Sequence, residues 1–258
     1  MMSDLVLLTV DGPVATITLN RAEKRNAIAP SMLAELDAML SEVEASDSIR
    51  VLVVTGAGDR AFCAGADITA WSELAPIDMW RRWIPAGQRV LDHLEGLRQP
   101  TIAAINGLAF GGGLELALAC DLRIATDHAA FAAPEVGIAT VPGWGATGRL
   151  ATVVGLARAK QLILTGQPID APTAATWGLV GELVTAGDLA ERTRVLAMQI
   201  ADQAPVAVQV AKQLIDGQRA RPAVALEALG GGLTAFTTDA AEGRASFRER
   251  RRPVYGGS

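Results

Sequence analysis

A run of apolar and glycine residues near the middle of the chain constrains the fold more than any other segment. Residues 102–105 are uncharged and suit a buried strand, and three successive glycines follow, ending at Gly113. Helical spacing then begins, because Leu114, Ala117 and Leu118 fall on one helical face. A helix start carries free N–H groups and positive dipole character, and glycine allows close backbone approach to them. The turn therefore predicts a place where an oxygen with negative charge is stabilised.

Composition restricts the class of protein. The 258 residues are 50% hydrophobic and 20% charged, which is typical of a globular chain long enough for a full core. A net charge of −5 argues against nucleic acid as the main partner. The chain has two cysteines, no signal-peptide pattern and no apolar run of about 18 residues, so we expect a cytoplasmic protein that does not bind to or cross a membrane.

Strand and helix patterns alternate along the first part of the chain. Alternating runs at Leu5–Val10 and Val14–Leu19 predict a hairpin, and Pro30 is typical of the first turn of an amphipathic helix. Further elements are predicted as a buried strand at Ile49–Thr55, helical segments between Trp71 and Leu97 that Pro76 and Pro85 interrupt, a strand at Leu122–Ala125, a helix over about Leu150–Thr165, a helix at Ala171–Trp177, and a strand at Gly181–Thr185.

The pattern changes near residue 187 from mixed to helical. Helices are predicted at Leu189–Ala201, Val206–Gly217, Ala223–Thr237 and Asp239–Arg250. The sequence therefore predicts an α/β fold in two parts, a core over residues 1–187 and a helical C-terminal region over residues 188–258.

One glycine pattern supports an alternative function. Residues 56–61 fit the G-x-G-x-x-G/A fingerprint of dinucleotide-binding proteins. No apolar helical stripe follows, although that fingerprint normally opens a helix after the first strand of the fold. A nicotinamide-dependent oxidoreductase is therefore an alternative that depends on a helix after residue 61.

Two carboxylates are the candidates for chemistry. The two histidines lack metal-ligand spacing and neither cysteine has a histidine partner, so no metal site or nucleophile is predicted. Glu115 alone equally fits a residue that caps its helix, and Glu135 alone fits an ordinary loop carboxylate. Together with the glycine turn they combine stabilisation of charge with proton transfer.

Three segments resemble the signatures of the enoyl-CoA hydratase/isomerase (crotonase) superfamily: Phe62–Ile68, Asn106–Ala117 and Phe131–Gly137. The resemblance extends from the first hairpin to the arginine-rich tail. It implies a crotonase-like spiral of ββα units, followed by a helical C-terminal region that mediates homotrimers, often paired into hexamers. The implied partner is an acyl-CoA substrate, and no cofactor is implied, because coenzyme A is part of that substrate.

The resemblance also assigns roles to residues. It places the thioester oxygen between the backbone N–H groups of Ala66 and Gly112. Glu115 activates water and Glu135 exchanges the proton of the α-carbon, while the N–H of Gly143 helps to hold the water. The implied reaction is reversible syn addition of water to a 2-enoyl-CoA. Double-bond isomerase, dehydratase, lyase and thioester hydrolase activities, and acyl-CoA binding without catalysis, are the alternatives.

Contacts with the substrate are implied at further positions. Lys24 and Arg25 are candidates for the CoA phosphates, together with arginines of the tail that could equally face solvent or a second subunit: Arg244, Arg248, Arg250, Arg251 and Arg252. The other implied substrate contacts are Ala64, Asp67, Ile68 and Trp144. Gly148 stands where many hydratases have glutamine, so the resemblance does not determine which acyl group the substrate carries. Trp144 with Trp80 or Trp83 suggests a pocket for a bulky or aromatic acyl chain.

Overall fold

A computed structural model describes residues 4–72, 74–217 and 237–258 of the chain. The helix predicted at Ala223–Thr237 falls outside these residues except for its last position. The side chains of Trp71, Arg244 and Arg248 also lie outside the described part.

Pairs of strands alternate with helices along the chain. The first unit consists of β1 (Val6–Asp11), β2 (Val14–Leu19) and α1 (Pro30–Ala45). The second unit consists of β3 (Val51–Gly56), β4 (Ala61–Cys63), α2 (Ile68–Ser72), α3 (Pro76–Asp78), a π-helical turn (Met79–Trp83) and α4 (Ile84–Gly96). The third unit consists of β5 (Thr101–Ile105), β6 (Leu108–Phe110) and α5 (Gly112–Ala119). The fourth unit consists of β7 (Leu122–Thr126), β8 (Ala130–Ala132), α6 (Ala146–Val154) and α7 (Leu156–Thr165).

The remaining elements are mainly helical. They are β9 (Ile169–Asp170), α8 (Ala171–Thr176), β10 (Glu182–Val184), α9 (Leu189–Ala201), α10 (Pro205–Gly217) and α11 (Thr238–Glu249). Two short 3₁₀ turns, Ala22–Lys24 and Glu135–Ile138, lie in loops of the first and fourth units.

The two strands of each central unit belong to different sheets. One sheet has the order β1-β2-β3-β5-β7-β10 and the other the order β4-β6-β8-β9. Strands β2, β3, β5 and β7 run parallel, as do β4, β6 and β8. The chain thus passes from the larger to the smaller sheet once in each of the three units that begin with β3, β5 and β7, which produces the predicted spiral.

Amide side chains fasten the crossings between the sheets. Asn106 Nδ2 donates to the carbonyl oxygens of Gly56 and Gly58 at 2.8 and 2.7 Å, and Asn26 Nδ2 donates to Ala61 at 2.8 Å. Strand β4 follows this turn, so residues 56–61 do not open a helix. The geometry that the nicotinamide alternative requires is therefore absent.

Helix α5 lies at the centre of the molecule, with all eight of its residues buried. Helices α1, α4 and α5 share the main hydrophobic core with the sheets. On the opposite face of the larger sheet, Leu189, Ala197 and Ala201 of α9 pack against Val51 and Ile102. Helix α9 therefore covers that face of the sheet, and the division at residue 187 stays a prediction.

Two details differ from the elements predicted. The single helix over Leu150–Thr165 is wrong: α6 and α7 are separated by Gly155, whose φ of 82° ends the first helix. Pro76 and Pro85 do not break helices but stand at the beginning of α3 and α4. A proline at a helix start loses no internal hydrogen bond, because the first N–H groups have no partner within the helix.

Close packing of α5 against β4 predicts opposite effects for the same substitution at two helical glycines. A Cβ on Gly113 would lie 2.0 Å from the carbonyl oxygen of Cys63, whereas a Cβ on Gly148 would meet no atom within 4 Å. We expect Gly113→Ala to lower the free energy of unfolding by about 1–3 kcal/mol through overpacking. Gly148→Ala should raise it by about 0.5–1 kcal/mol. Urea unfolding measures both; equal effects of the two substitutions would contradict the packing.

Candidate active site

A cavity of about 120 Å³ lies where segments that follow three strands of the smaller sheet meet. These segments begin after Cys63 in β4, Phe110 in β6 and Ala132 in β8. The cavity is lined by Ala64, Gly65, Ala66, Ile68, Met79, Trp83, Ile84, Gly111, Gly112, Glu115, Pro134, Glu135, Ile138, Thr140, Val141, Gly143 and Trp144. Segments far apart in sequence, including those of the three predicted motifs, thus converge on one space.

Two backbone amides meet at the wall of this cavity. A Cβ on Gly112 would lie 3.3 Å from the amide nitrogen of Ala66, and one on Gly65 would lie 3.6 Å from the amide nitrogen of Gly112. Neither the Ala66 nor the Gly112 N–H donates a hydrogen bond within the described part of the chain. Gly112 is also the first residue of α5, where the helix dipole is positive. Such a pair of donors can stabilise an oxygen that gains negative charge.

Glu115 reaches the cavity from the first turn of α5, and its side chain is 3% exposed. Its Oε1 accepts hydrogen bonds from the backbone N–H groups of Trp144 at 2.7 Å and Ala146 at 3.1 Å. The carboxyl group therefore holds a distant turn and does not cap its own helix. Burial raises the pKa of Glu115 to about 7, although these two hydrogen bonds act in the opposite direction.

Glu135 begins the 3₁₀ turn after β8 and lines the same cavity. A Cβ on Gly111 would lie 3.1 Å from its Oε1, so the carboxyl group packs against the glycine turn. Its Oε2 is buried and has no hydrogen-bond partner among the described residues. Burial raises the pKa of Glu135 above its ordinary value, because the charged form has lost hydration.

The two carboxyl groups are electrostatically coupled. The charge of Glu135 adds to burial in raising the pKa of Glu115. Ionisation of Glu135 therefore disfavours ionisation of Glu115, and the two carboxyl groups titrate as a pair. This arrangement suits one group to accept a proton and the other to donate one.

Arg149 is a residue to which the sequence alone assigned no role. This buried side chain on α6 donates from Nη1 to the carbonyl oxygen of Trp144 at 2.7 Å, and from Nη2 to Asp92 and Glu95 of α4 at 2.6 and 2.7 Å. The turn that holds Glu115 is therefore fastened to α4. Asp92 and Glu95 lie three residues apart on one helix, a spacing that the sequence can show. Their pairing with Arg149, more than 50 residues away, leaves no pattern in the sequence.

The three tryptophans under discussion have different environments. Trp83 and Trp144 are 6% and 3% exposed, line the cavity and lie 5.3 Å apart between ring centroids at an angle of 57°. Trp80 is 67% exposed and does not line it. Gly143 also lines the cavity; its carbonyl oxygen accepts a hydrogen bond from Gln88 at 2.9 Å, and its N–H makes none within the described residues.

The other predicted substrate contacts divide into two groups. Ala64 and Ile68 line the cavity. Asp67 does not, because its carboxylate accepts hydrogen bonds from Arg21 at 2.6 Å and from the N–H of Thr69 at 3.1 Å. The Arg21 guanidinium lowers the pKa of Asp67. Its contacts give it a structural role, and its contact with substrate stays a prediction.

Lys24 and Arg25 are exposed and lie outside the cavity lining. The carbonyl oxygen of Arg25 accepts a hydrogen bond from the N–H of Ala64 at 3.0 Å, which ties this basic loop to the segment beside the cavity. Its position is compatible with a phosphate group outside the cavity mouth.

The described residues contain no group of three or more His, Cys, Asp or Glu side chains arranged to hold a metal ion. None of their helices combines the length and the apolar character that crossing a bilayer demands.

Comparison with known proteins agrees with this geometry. Residues 9–258 match the family described as enoyl-CoA hydratase/isomerase. The chain is 40% identical over 250 residues to the short-chain-enoyl-CoA hydratase of Clostridium acetobutylicum, covering 96% of this chain and 95% of that protein. It is 39% identical over 257 residues to the (E)-benzylidenesuccinyl-CoA hydratase of Thauera aromatica, covering 98% and 99%.

A solved structure shares the whole architecture. The crystal structure of enoyl-CoA hydratase from Bacillus anthracis matches with a TM-score of 0.95 and 36% identity, over 98% of this chain and 100% of that one. The α/β crotonase-like fold is therefore confirmed. The chain belongs to the enoyl-CoA hydratase/isomerase family.

Proposed function

We propose that the protein is an enoyl-CoA hydratase, a hydro-lyase that adds water reversibly across the 2,3 double bond of a 2-enoyl-CoA thioester. One observation carries the proposal: two unpaired amide N–H groups, the buried carboxyl group of Glu115 and the half-buried carboxyl group of Glu135 line a single small cavity. The relative from Clostridium acetobutylicum, named as a short-chain-enoyl-CoA hydratase, supports it.

The amide pair supplies the stabilisation of charge. The thioester carbonyl oxygen accepts hydrogen bonds from the N–H groups of Ala66 and Gly112. As water attacks the β-carbon, the electrons of the double bond move toward this oxygen, and an enolate develops. A donor fixed in such a place contributes about 2.7–4 kcal/mol of transition-state stabilisation. Because the donors are backbone groups, they need no reorganisation during the reaction.

The two carboxyl groups divide the proton transfers. Ionised Glu115 takes a proton from water while the oxygen bonds to the β-carbon, and the N–H of Gly143 helps to hold that water. Neutral Glu135 gives its proton to the α-carbon as the enolate collapses. Water is thus added as a hydroxyl group on the β-carbon and a proton on the α-carbon. Glu115 then releases its proton to solvent, and Glu135 takes up a proton from solvent, which restores both starting states. Both groups act from one side of the substrate, which gives syn addition.

The remaining proposals concern the surroundings of this site. The phosphates of coenzyme A meet Lys24 and Arg25, which are exposed beside the Ala64 segment. The C-terminal helical region mediates a homotrimer or a hexamer, and the enzyme acts in the cytoplasm. These proposals follow from the family resemblance.

Replacing either carboxyl group tests the assigned roles. We expect Glu115→Gln and Glu135→Gln each to lower kcat for crotonyl-CoA hydration by about 10²–10⁴-fold, the usual contribution of general acid–base catalysis. Loss of the ultraviolet absorbance of the conjugated thioester measures the rate. Glu42→Gln, which removes an exposed carboxylate of α1, is the matched control and should retain wild-type turnover. Full activity in both site variants would exclude the mechanism, and conversion of a 3-enoyl-CoA without hydration would favour an isomerase.

The raised pKa of Glu115 also predicts a pH-dependent effect on stability. The folded pKa of about 7 lies above the ordinary 4.5, so ionising this group costs stability as pH rises between these values. Glu115→Gln removes that cost. Relative to wild type, its free energy of unfolding should therefore gain on the order of 2–3 kcal/mol from pH 5 to pH 8, at about 1.36 kcal/mol per pKa unit. Urea titrations at both pH values measure the gain; a pH-independent difference would contradict the buried, strained carboxyl group.

Arg149 is expected to act as a positioning residue. Arg149→Lys keeps the charge but loses the guanidinium group, whose separate N–H donors join the Trp144 carbonyl oxygen to α4. A hydrogen bond from a charged donor is worth about 1.5–3 kcal/mol, so kcat should fall by about tenfold or more, with KM little changed. The control is Arg158→Lys, because Arg158 is exposed and donates to the carbonyl oxygen of Trp177 at 3.2 Å. A rise in KM alone would assign Arg149 to substrate binding instead.

A further inference from the structure

The cavity has an open end and a closed end. Ile68, Ile138 and Val141 at one end are 53%, 52% and 67% exposed, whereas Trp83 and Trp144 at the other are 6% and 3% exposed. A coenzyme A moiety is far larger than the cavity and must stay at the exposed end. With the thioester oxygen at the two amides, the acyl group therefore extends toward the buried tryptophans.

The indole of Trp144 is wedged between two glycines at the closed end. A Cβ on Gly87 would lie 2.1 Å from its Nε1, and a Cβ on Gly112 would lie 2.6 Å from its Cζ3. These contacts are on opposite edges of the ring, while the ring of Trp83 packs against it. Since protein interiors are close-packed, the ring has no free space into which it could swing. It is a fixed wall.

We propose that Trp144 closes the acyl end of the cavity and restricts this enzyme to short 2-enoyl-CoA thioesters. This inference rests on the proposed hydratase function. Its physical basis is volume: the cavity measures about 120 Å³, and an engineered protein cavity of about 150 Å³ holds one benzene molecule. The acyl group that fits is therefore smaller than a phenyl-substituted or long alkyl chain.

The lining chemistry excludes a second kind of substrate. Next to the tryptophans, the cavity is lined by apolar groups of Met79 and Ile84, and none of the described lining residues is Lys or Arg. A free carboxylate on the acyl group would be buried there without a cation, which is strongly unfavourable. Substrates with an additional acid group are therefore disfavoured. This inference is the opposite of the expectation that the tryptophans host a bulky or aromatic chain, and the test below decides between the two.

A chain-length series tests the wall. The ratio of kcat/KM for 2-decenoyl-CoA to that for crotonyl-CoA is measured within each variant, so that any general loss of activity cancels. Misfit of even one methylene group in an apolar pocket changes kcat/KM by about 10–200-fold, so Trp144→Ala should raise this ratio at least about tenfold. The variant keeps the backbone N–H that holds Glu115. The matched control is Trp80→Ala, which removes an exposed tryptophan and should leave the ratio unchanged.

The outcomes separate this inference from the proposed function. Wild-type enzyme that hydrates 2-decenoyl-CoA or cinnamoyl-CoA as well as crotonyl-CoA would overturn the inference while the hydratase function stands. An unchanged ratio in folded Trp144→Ala would do the same. Absence of turnover with every enoyl-CoA in the wild type would reject the hydratase function itself. If Trp144→Ala does not fold, Trp144→Leu is used in the same test. If neither variant folds, the wild-type series decides. A steep loss of kcat/KM beyond 2-hexenoyl-CoA supports the inference, and a flat profile overturns it.

Discussion

The hydrogen bonds between Glu115 and the turn at Trp144 and Ala146 are the interaction on which the rest of the site depends. A carboxyl group from α5 and two N–H groups from a loop nearly 30 residues away meet at 2.7 and 3.1 Å. The same contact brings Gly143 and the indole of Trp144 to the cavity. Arg149 fixes the turn from the other side through the carbonyl oxygen of Trp144. The positions of the proposed base and water and the depth of the proposed acyl pocket are thus set together.

This arrangement exchanges stability for reactivity. A carboxylate that is 3% exposed loses most of its hydration, and two backbone hydrogen bonds replace only a part of it. The cost keeps the pKa of Glu115 near neutrality, where a base is most effective. Glu135 lies in a similar position, with a buried oxygen that no described residue satisfies. Unsatisfied or poorly hydrated groups that would be faults elsewhere are typical of sites that move protons.

The sequence predicted the components of the site better than their connections. The glycine turn and both carboxylates could be identified because glycine runs and acids in apolar segments are conspicuous in a single chain. The Arg149 contacts could not, because ion pairs between α4 and α6 leave no periodic pattern. The break at Gly155 was missed since the helical spacing of apolar residues continues across it. Asp67 lies in one of the recognised motifs, but the residues around it in that motif do not indicate that it pairs with Arg21.

The order of strands explains why motifs so far apart in sequence form one site. Strands β4, β6 and β8 are parallel neighbours in the smaller sheet, so the segments that follow them leave the sheet at the same edge. Each of the second, third and fourth ββα units contributes one such segment: the amide of Ala66, the amide of Gly112 with Glu115, and Glu135. Ligands in α/β proteins bind at the carboxyl ends of parallel strands for this reason. Because the three units supply different combinations of amide and carboxyl groups, a repeated backbone builds a site that holds both hydrogen-bond donors and acid groups.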